Sequence, residues 1–169
     1  MVIVSADIGH MEAKSLAPRM REKGVNIIYS SPMVRAMRTA SYTAELLNLE
    51  IREKSWLKEL SDVKIRQGGR EFCGWDTYGE TIRSSRHSPS LENWYLRPPF
   101  NTTEIGALWD DFRSRADALI AEHGYTRTEG RYRINHSNND RIAVFCHNGT
   151  LLFFLAHLLE IPPSLVWAG

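Results

Sequence analysis

A chain of 169 residues, 43% hydrophobic and 24% charged, is long enough to bury one continuous core without disulfides and short enough to be a single domain, 1–169. No apolar run approaches the ~18 residues of a membrane helix. The 21 basic and 20 acidic residues leave a net charge of +1, so no overall field favours nucleic acid or an anionic membrane, and any anion site must be local. Cys73 and Cys146, the only cysteines, have neither framework nor metal-ligand spacing, which predicts a reducing, cytoplasmic setting and no metal. The first residues lack the basic region and long apolar core of a signal peptide.

Val2–Val4 reads as a short strand. Asp7 then caps a helix from about Ile8 to Lys23, with Met11, Leu16 and Met20 facing inward and Gly24 as its stop. Val25–Tyr29 is β-branched and bounded by Gly24 and the Ser30-Ser31-Pro32 turn, as a buried strand is. Pro32 suits the first position of the following helix, where Met33, Ala36, Met37, Ala40, Ala44 and Leu47 recur at helical spacing. Glu50–Glu53 reads as a short strand. Residues 62–101, rich in Gly, Pro, Ser, Arg and aromatics, show no stable period and read as a long irregular insertion.

Thr102 or Thr103 caps the next helix, whose stripe of Ile105, Leu108, Trp109, Phe112, Ala116, Leu119 and Ile120 ends before Gly124. Tyr125–Ile134 reads as a hairpin turning at Glu129-Gly130, and Asn135–Asp140 as a polar loop. Arg141–Cys146 reads as a central strand. Thr150–Glu160 is apolar all round and so predicts a fully buried helix, stopped by Pro162 and Pro163. Alternating strands and helices imply an α/β fold, a three-layer α/β/α sandwich with a mostly parallel sheet.

In such sheets ligands bind beyond the carboxyl ends of strands, where helix starts offer N–H groups to anions. Two segments have that form. Tyr29-Ser30-Ser31-Pro32-Met33-Val34-Arg35-Ala36 puts an arginine off the apolar stripe in the first turn of a helix. Val144-Phe145-Cys146-His147-Asn148-Gly149-Thr150 puts an imidazole at a strand end and the N–H groups of Asn148 and Gly149 at a helix start. An arginine and a histidine brought together in this way suit a phosphate.

These residues resemble the histidine phosphatase superfamily of metal-independent phosphatases and phosphoglycerate mutases. Ile28-Tyr29-Ser30-Ser31-Pro32 with Arg35-Ala36 and Thr39-Ala40 is similar to one block of that family, and Asp7–Ala13 to its Leu-Thr-x-Leu-Gly-x-x-Gln-Ala helix start. Leu57-Lys58-Glu59-Leu60 is similar to its Leu-x-Glu-Ile segment, and Val144–Thr150 to its strand-His-Gly-Gly block. Order and spacing agree over residues 7 to 160. The resemblance implies a phosphoglycerate mutase-like fold, no cofactor, a phosphorylated small-molecule substrate, and 62–101 as the variable substrate-facing region. It implies that Arg35 binds phosphoryl oxygens, with Asn148 beside it. His147 stabilises their charge in the transition state, and Glu59 protonates the leaving oxygen.

The family begins with a strand ending in Arg-His-Gly, whose histidine becomes phosphorylated, and no Arg-His-Gly occurs here. Arg86-His87-Ser88 lies among Ser and Pro rather than after an apolar strand. His10, His123, His136 and His157 fit solvated, capping or structural roles. The reading is a phosphomonoester hydrolase of the phosphohistidine type whose nucleophile is missing from this chain. Its alternatives are a mutase-type phosphotransferase and a non-catalytic binder of phosphorylated ligands. A sheet without its first strand exposes an unpaired edge, which predicts self-association, a homodimer being the simplest form. Trp75, Tyr78, Trp94 and Tyr95 either line the substrate site or form a small core within the insertion.

Overall fold

In chain order the computed structural model, which describes residues 6–84, 88–101 and 104–168, runs α1 (Ala6–Glu22), β1 (Ile27–Ser30), α2 (Val34–Leu47), β2 (Ile51–Glu53), β3 (Lys64–Gln67), β4 (Arg70–Cys73), α3 (Gly79–Arg83), α4 (Ile105–Glu122), β5 (Tyr125–Thr128), β6 (Arg131–Ile134), β7 (Ile142–Phe145), α5 (Asn148–Leu159) and α6 (Pro163–Trp167). The strand expected at Val2–Val4, the cap at Thr102 or Thr103 and the His87 of Arg86-His87-Ser88 lie outside the described residues. The fold is of the α/β class with a parallel sheet, as the alternation of elements implies. No helix among the described residues is long and apolar enough to cross a membrane.

The chain forms two compact units. The first takes in the described part of Met1–Lys58 and Asn138–His147. Its sheet has the order β2-β1-β7, all parallel, with Ile28 opposite both Ile51 and Ala143. The sequence reading made the last strand central, but among the described residues β7 pairs with β1 alone, so β1 is the middle strand. Burial agrees: Ile28, Tyr29 and Ser30 are wholly enclosed, whereas Ile142 and Val144 are 38% and 36% exposed and only Ala143 and Phe145 point inward. The β-branched run therefore behaves as a half-buried strand with period two.

Helix α2 packs on all three strands and α1 packs on α2. Ile28, Ala40, Ala44, Ala143 and Phe145 form the core, flanked by Leu16, Met20, Val25, Leu49 and Ile51. The small alanines of α2 let the helix approach the sheet closely, and burying the large strand residues contributes roughly 1.5–3 kcal/mol each. Met11 does not face inward but is 69% exposed, because Ala13 and Ala17 hold the buried face and Met11 lies ~200° round the helix from Ala13. Asp7 is inside the first turn rather than at the cap, where its carboxylate still complements the positive end of the helix. Pro32 likewise precedes the extended cap residue Met33 instead of opening α2, so its fixed φ shapes the turn rather than the helix.

The second unit takes in Glu59–Ser137 and Asn148–Gly169. Its core is aromatic. Trp94 is 1% exposed and meets Phe100, Trp109, Phe153 and Trp167 edge-on, at centroid separations of 5.2, 6.2, 6.1 and 5.9 Å. This favourable ring geometry makes Trp94 a core residue rather than a site residue. The stretch expected to be irregular contains the antiparallel hairpin β3–β4, turned by Gly68 and Gly69 at φ 57° and 78°. Positive φ at both turn residues gives the twist that matches a hairpin, which glycine adopts without strain.

The hairpin β5–β6 turns at Glu129 and Gly130, as the sequence indicated. Helix α5 is not fully buried. Phe153, Ala156 and His157 are enclosed, whereas Leu151, Leu155, Leu158 and Leu159 are 38–61% exposed. Its neighbours α4 and α6 cover one side only, and composition that is apolar all round cannot reveal which side. Glu160, at φ 54°, ends α5 in the left-handed conformation, and the Ile161 N–H returns to the Ala156 carbonyl at 3.0 Å. The two prolines thus follow a stop already made, and Pro163 opens α6.

Candidate active site

Strand β1 ends at Ser30, and the chain turns at once through Ser31 and Pro32. Both serines are wholly buried, and the Ser31 N–H donates to the Phe145 carbonyl at 2.8 Å, tying the turn to the end of β7. The Met33 N–H donates to Ser31 Oγ at 3.2 Å. These bonds fix where α2 starts and so where Arg35, in its first turn, stands.

Arg35 and His147 lie 112 positions apart in sequence and touch in the structure. Arg35 Nε donates to His147 Nδ1 at 3.0 Å. A guanidinium is always a donor, so Nδ1 is an acceptor and the ring is the neutral tautomer with its proton on Nε2. That proton faces Ser31 Oγ at 2.8 Å. Ser31 Oγ therefore accepts from Met33 N–H and His147 Nε2–H together. His147 is buried, whereas Arg35 opens to solvent. With Nε committed to the imidazole, the two Nη groups of Arg35 remain to grip an anion in a fork. Ser31 was read from sequence only as a turn residue. His147, which it holds, is 116 positions away in sequence, and nothing local marks Ser31 as its support.

Glu59 and Asn148 belong to the second unit. Glu59 Oε1 accepts two backbone hydrogen bonds, from Leu60 N–H at 3.0 Å and Gly149 N–H at 3.1 Å. The latter is in the first turn of α5, where unpaired N–H groups and the helix dipole favour a carboxylate oxygen. Among the described residues Glu59 Oε2 makes no hydrogen bond. Gly149 is required here: a Cβ would sit against the Trp75 ring, 2.8 Å from its Cζ3 and 2.9 Å from Glu59 Oε1. Trp75 is thereby a wall beside the Glu59–Gly149 contact, while Tyr78 is 54% exposed. Asn148 opens α5 with its side chain exposed.

The other described histidines lie elsewhere. His157, 2% exposed, meets Asp117 Oδ1 at 2.7 Å, and burial holds its imidazole below the ordinary value against the pull of that carboxylate. His10 Nδ1 meets Tyr42 OH at 2.8 Å. His123 is buried at the end of α4, and His136 packs against Gly124.

Residues 6–169 match the model of the histidine phosphatase superfamily (branch 1). A putative phosphoserine phosphatase 2 of Hydrogenobacter thermophilus is 23% identical over 160 residues, covering 95% of this chain and 68% of its own. Among solved structures, a mycobacterial glucosyl-3-phosphoglycerate phosphatase superposes with a TM-score of 0.57 at 17% identity, over 96% of this chain and 72% of that one. A phosphoserine phosphatase of Entamoeba histolytica, in complex with 3-phosphoglyceric acid, superposes with a TM-score of 0.53 at 18% identity, over 93% and 68%.

Proposed function

The chain belongs to the histidine phosphatase superfamily, and we propose that its pocket serves the hydrolysis of phosphate monoesters through a phosphohistidine, with Arg35 and His147 as the groups that grip the phosphate and with Asn148 and Glu59 in the roles that the family resemblance implies. One observation carries this reading: the Arg35–His147 hydrogen bond of 3.0 Å, which puts a forked cation and an imidazole donor at the ends of two adjacent parallel strands. The names of the relatives, phosphatases acting on small phosphorylated metabolites, support hydrolysis over transfer between hydroxyl groups.

In this mechanism the phosphoryl oxygens accept from the two Nη groups of Arg35. The Nε2–H of His147 turns from Ser31 Oγ to a phosphoryl oxygen as negative charge spreads over the group in transfer. As the bond from phosphorus to the leaving oxygen breaks, that oxygen takes a proton, the role that the resemblance gives to Glu59, whose Oε1 is anchored by two amides and whose Oε2 is the atom able to carry a proton. The phosphoryl group passes to an imidazole nitrogen, and water later removes it as phosphate.

The nucleophilic imidazole is assigned outside the residues described. Both ring nitrogens of His147 are in use, His157 is committed to Asp117, His10 to Tyr42, and the sequence has no Arg-His-Gly. That last observation favours a second reading, a non-catalytic protein that holds phosphorylated ligands in the same pocket.

Titration with inorganic phosphate tests the pocket, and hydrolysis of p-nitrophenyl phosphate in EDTA separates the two readings. Arg35→Ala and His147→Ala should each weaken phosphate binding at least about tenfold, since hydrogen bonds to charged groups contribute about 1.5–3 kcal/mol. Equal affinity in wild type and both variants would reject the pocket. Turnover lost in both variants supports the hydrolase, and binding without turnover supports the non-catalytic reading.

A further inference from the structure

Asn148-Gly149 is the one Asn-Gly pair in the chain. It opens α5 with the asparagine exposed and the glycine buried. An asparagine followed by glycine is chemically labile, because glycine has no side chain to crowd its own nitrogen and leaves the backbone free to rotate. That nitrogen can then attack the asparagine side chain. Further along a helix it would be tied to a carbonyl four residues back, but in the first turn no such partner exists, and helix ends fray.

The structure supplies another partner. Gly149 N–H donates to Glu59 Oε1 at 3.1 Å, the oxygen that also accepts from Leu60 N–H at 3.0 Å. The Trp75 ring fills the space where a Cβ of residue 149 would lie. A carboxylate so placed has two opposed effects on the attack. It would help as a base, yet carboxylates are far too weakly basic to take an amide proton. It hinders as an anchor, holding the nitrogen in its helical place, and its negative charge opposes charge building on a nitrogen 3.1 Å away. The hindrance wins, and Trp75 adds to it by blocking the rotation that the attack needs.

We propose that Asn148 is a site of slow hydrolytic deamidation, held back by Glu59 and Trp75. In the reaction the Gly149 nitrogen gives up its proton and bonds to Asn148 Cγ. The bond from Cγ to the side-chain nitrogen breaks, and that nitrogen leaves with the proton as ammonia. Water, the co-reactant, then opens the cyclic imide at either carbonyl and leaves aspartate or isoaspartate in the chain. The exposure of Asn148 admits it. An aspartate there is favoured by the positive end of α5 and repels any other anion approaching the same helix start. The modification therefore changes what this end of the helix attracts while the helix persists. The inference stands apart from the phosphate reading, and its test does not depend on phosphate binding.

The test incubates the purified chain at mildly alkaline pH, folded and in urea, and follows the mass of the peptide that contains residue 148. Modification there should be slower in the folded chain than in urea by about tenfold or more, as a hydrogen bond to a charged group gives. Glu59→Ala should remove most of that protection. Glu59→Gln, whose amide oxygen keeps the bond without the charge, should remove less, and it carries the comparison if Glu59→Ala does not fold. Trp75→Ala should also speed the reaction. Leu119→Ala, in the buried face of α4, serves as the control for general loss of stability and should keep most of the protection. A folded wild type modified at residue 148 as fast as the unfolded chain, or equal acceleration in the Glu59 variants and Leu119→Ala, would overturn the protective part given to Glu59. An unfolded chain that stays unmodified at residue 148 would overturn the site itself.

Discussion

Replacing Gly149 by alanine separates two opposing effects whose signs the structure fixes. Gly149 lies in the first turn of α5 outside the left-handed region, so alanine meets no backbone strain, and in a helix it is worth up to about 1 kcal/mol over glycine. Against this, the added methyl would lie 2.8 Å from Trp75 Cζ3 and 2.9 Å from Glu59 Oε1, where unstrained carbon contacts need about 3.5–4.0 Å. Overpacking of this kind costs about 1–3 kcal/mol. Displacing the Glu59 carboxylate from Gly149 N–H forfeits a hydrogen bond worth about 1 kcal/mol more. The balance is a loss of about 1–3 kcal/mol, which for a chain of this size lowers Tm by roughly 3–9 °C. Urea denaturation and thermal melts of Gly149→Ala measure it directly. Trp75→Ala should relieve the cost, so that in the double variant alanine at 149 is close to neutral. A Gly149→Ala protein as stable as the wild type, or more stable, would refute the packing described around Glu59.

Stability should also depend on pH through His157. Burial, aided by Arg127 and Arg113, holds its imidazole below the ordinary 6.5, and the opposing pull of Asp117 is the weaker effect. The unfolded chain therefore takes up this proton first, and stability should fall as pH drops through 6.5 toward the lowered folded value. Urea unfolding at pH 7, 6 and 5 should show a shallower decline in His157→Gln, and parallel declines would contradict the assignment. At the β5–β6 turn Glu129 has a φ of 48° and makes no side-chain bond among the described residues. Glu129→Asn should stabilise by about 0.5–1 kcal/mol, because asparagine tolerates the left-handed region, and a lowered melting temperature would rule out that turn geometry.

The parts of the fold legible in sequence are those whose signal is local. The Ile27–Ser30 strand stands out because β-branched residues are bounded by Gly24 and a Ser-Pro turn, and α4 because its stripe recurs at 3.6. The β3–β4 hairpin was equally local in its Gly68-Gly69 turn. Its strands carry Lys64, Arg66, Arg70 and Glu71 with Ile65 as their one fully buried hydrophobe, so alternation was masked by charge. The exposed side of α5 and the pairing of β7 with β1 alone among the described residues were not legible, since both depend on what packs alongside. Arg35 and His147 were each visible as residues at a strand-to-helix junction. Their contact depends on the parallel pairing of β1 with β7, and the contact of Ser31 with His147 Nε2 is purely a product of that pairing.

The most direct measurement is a nitrogen-15 spectrum of the histidine rings, recorded as inorganic phosphate is added. A single Arg35–His147 phosphate site requires a His147 ring protonated on Nε2 in the free chain, signals that move with phosphate, and no such movement in Arg35→Ala. A His147 ring that ignores phosphate, or that responds identically without the Arg35 guanidinium, would contradict the claim that these two residues form one phosphate site.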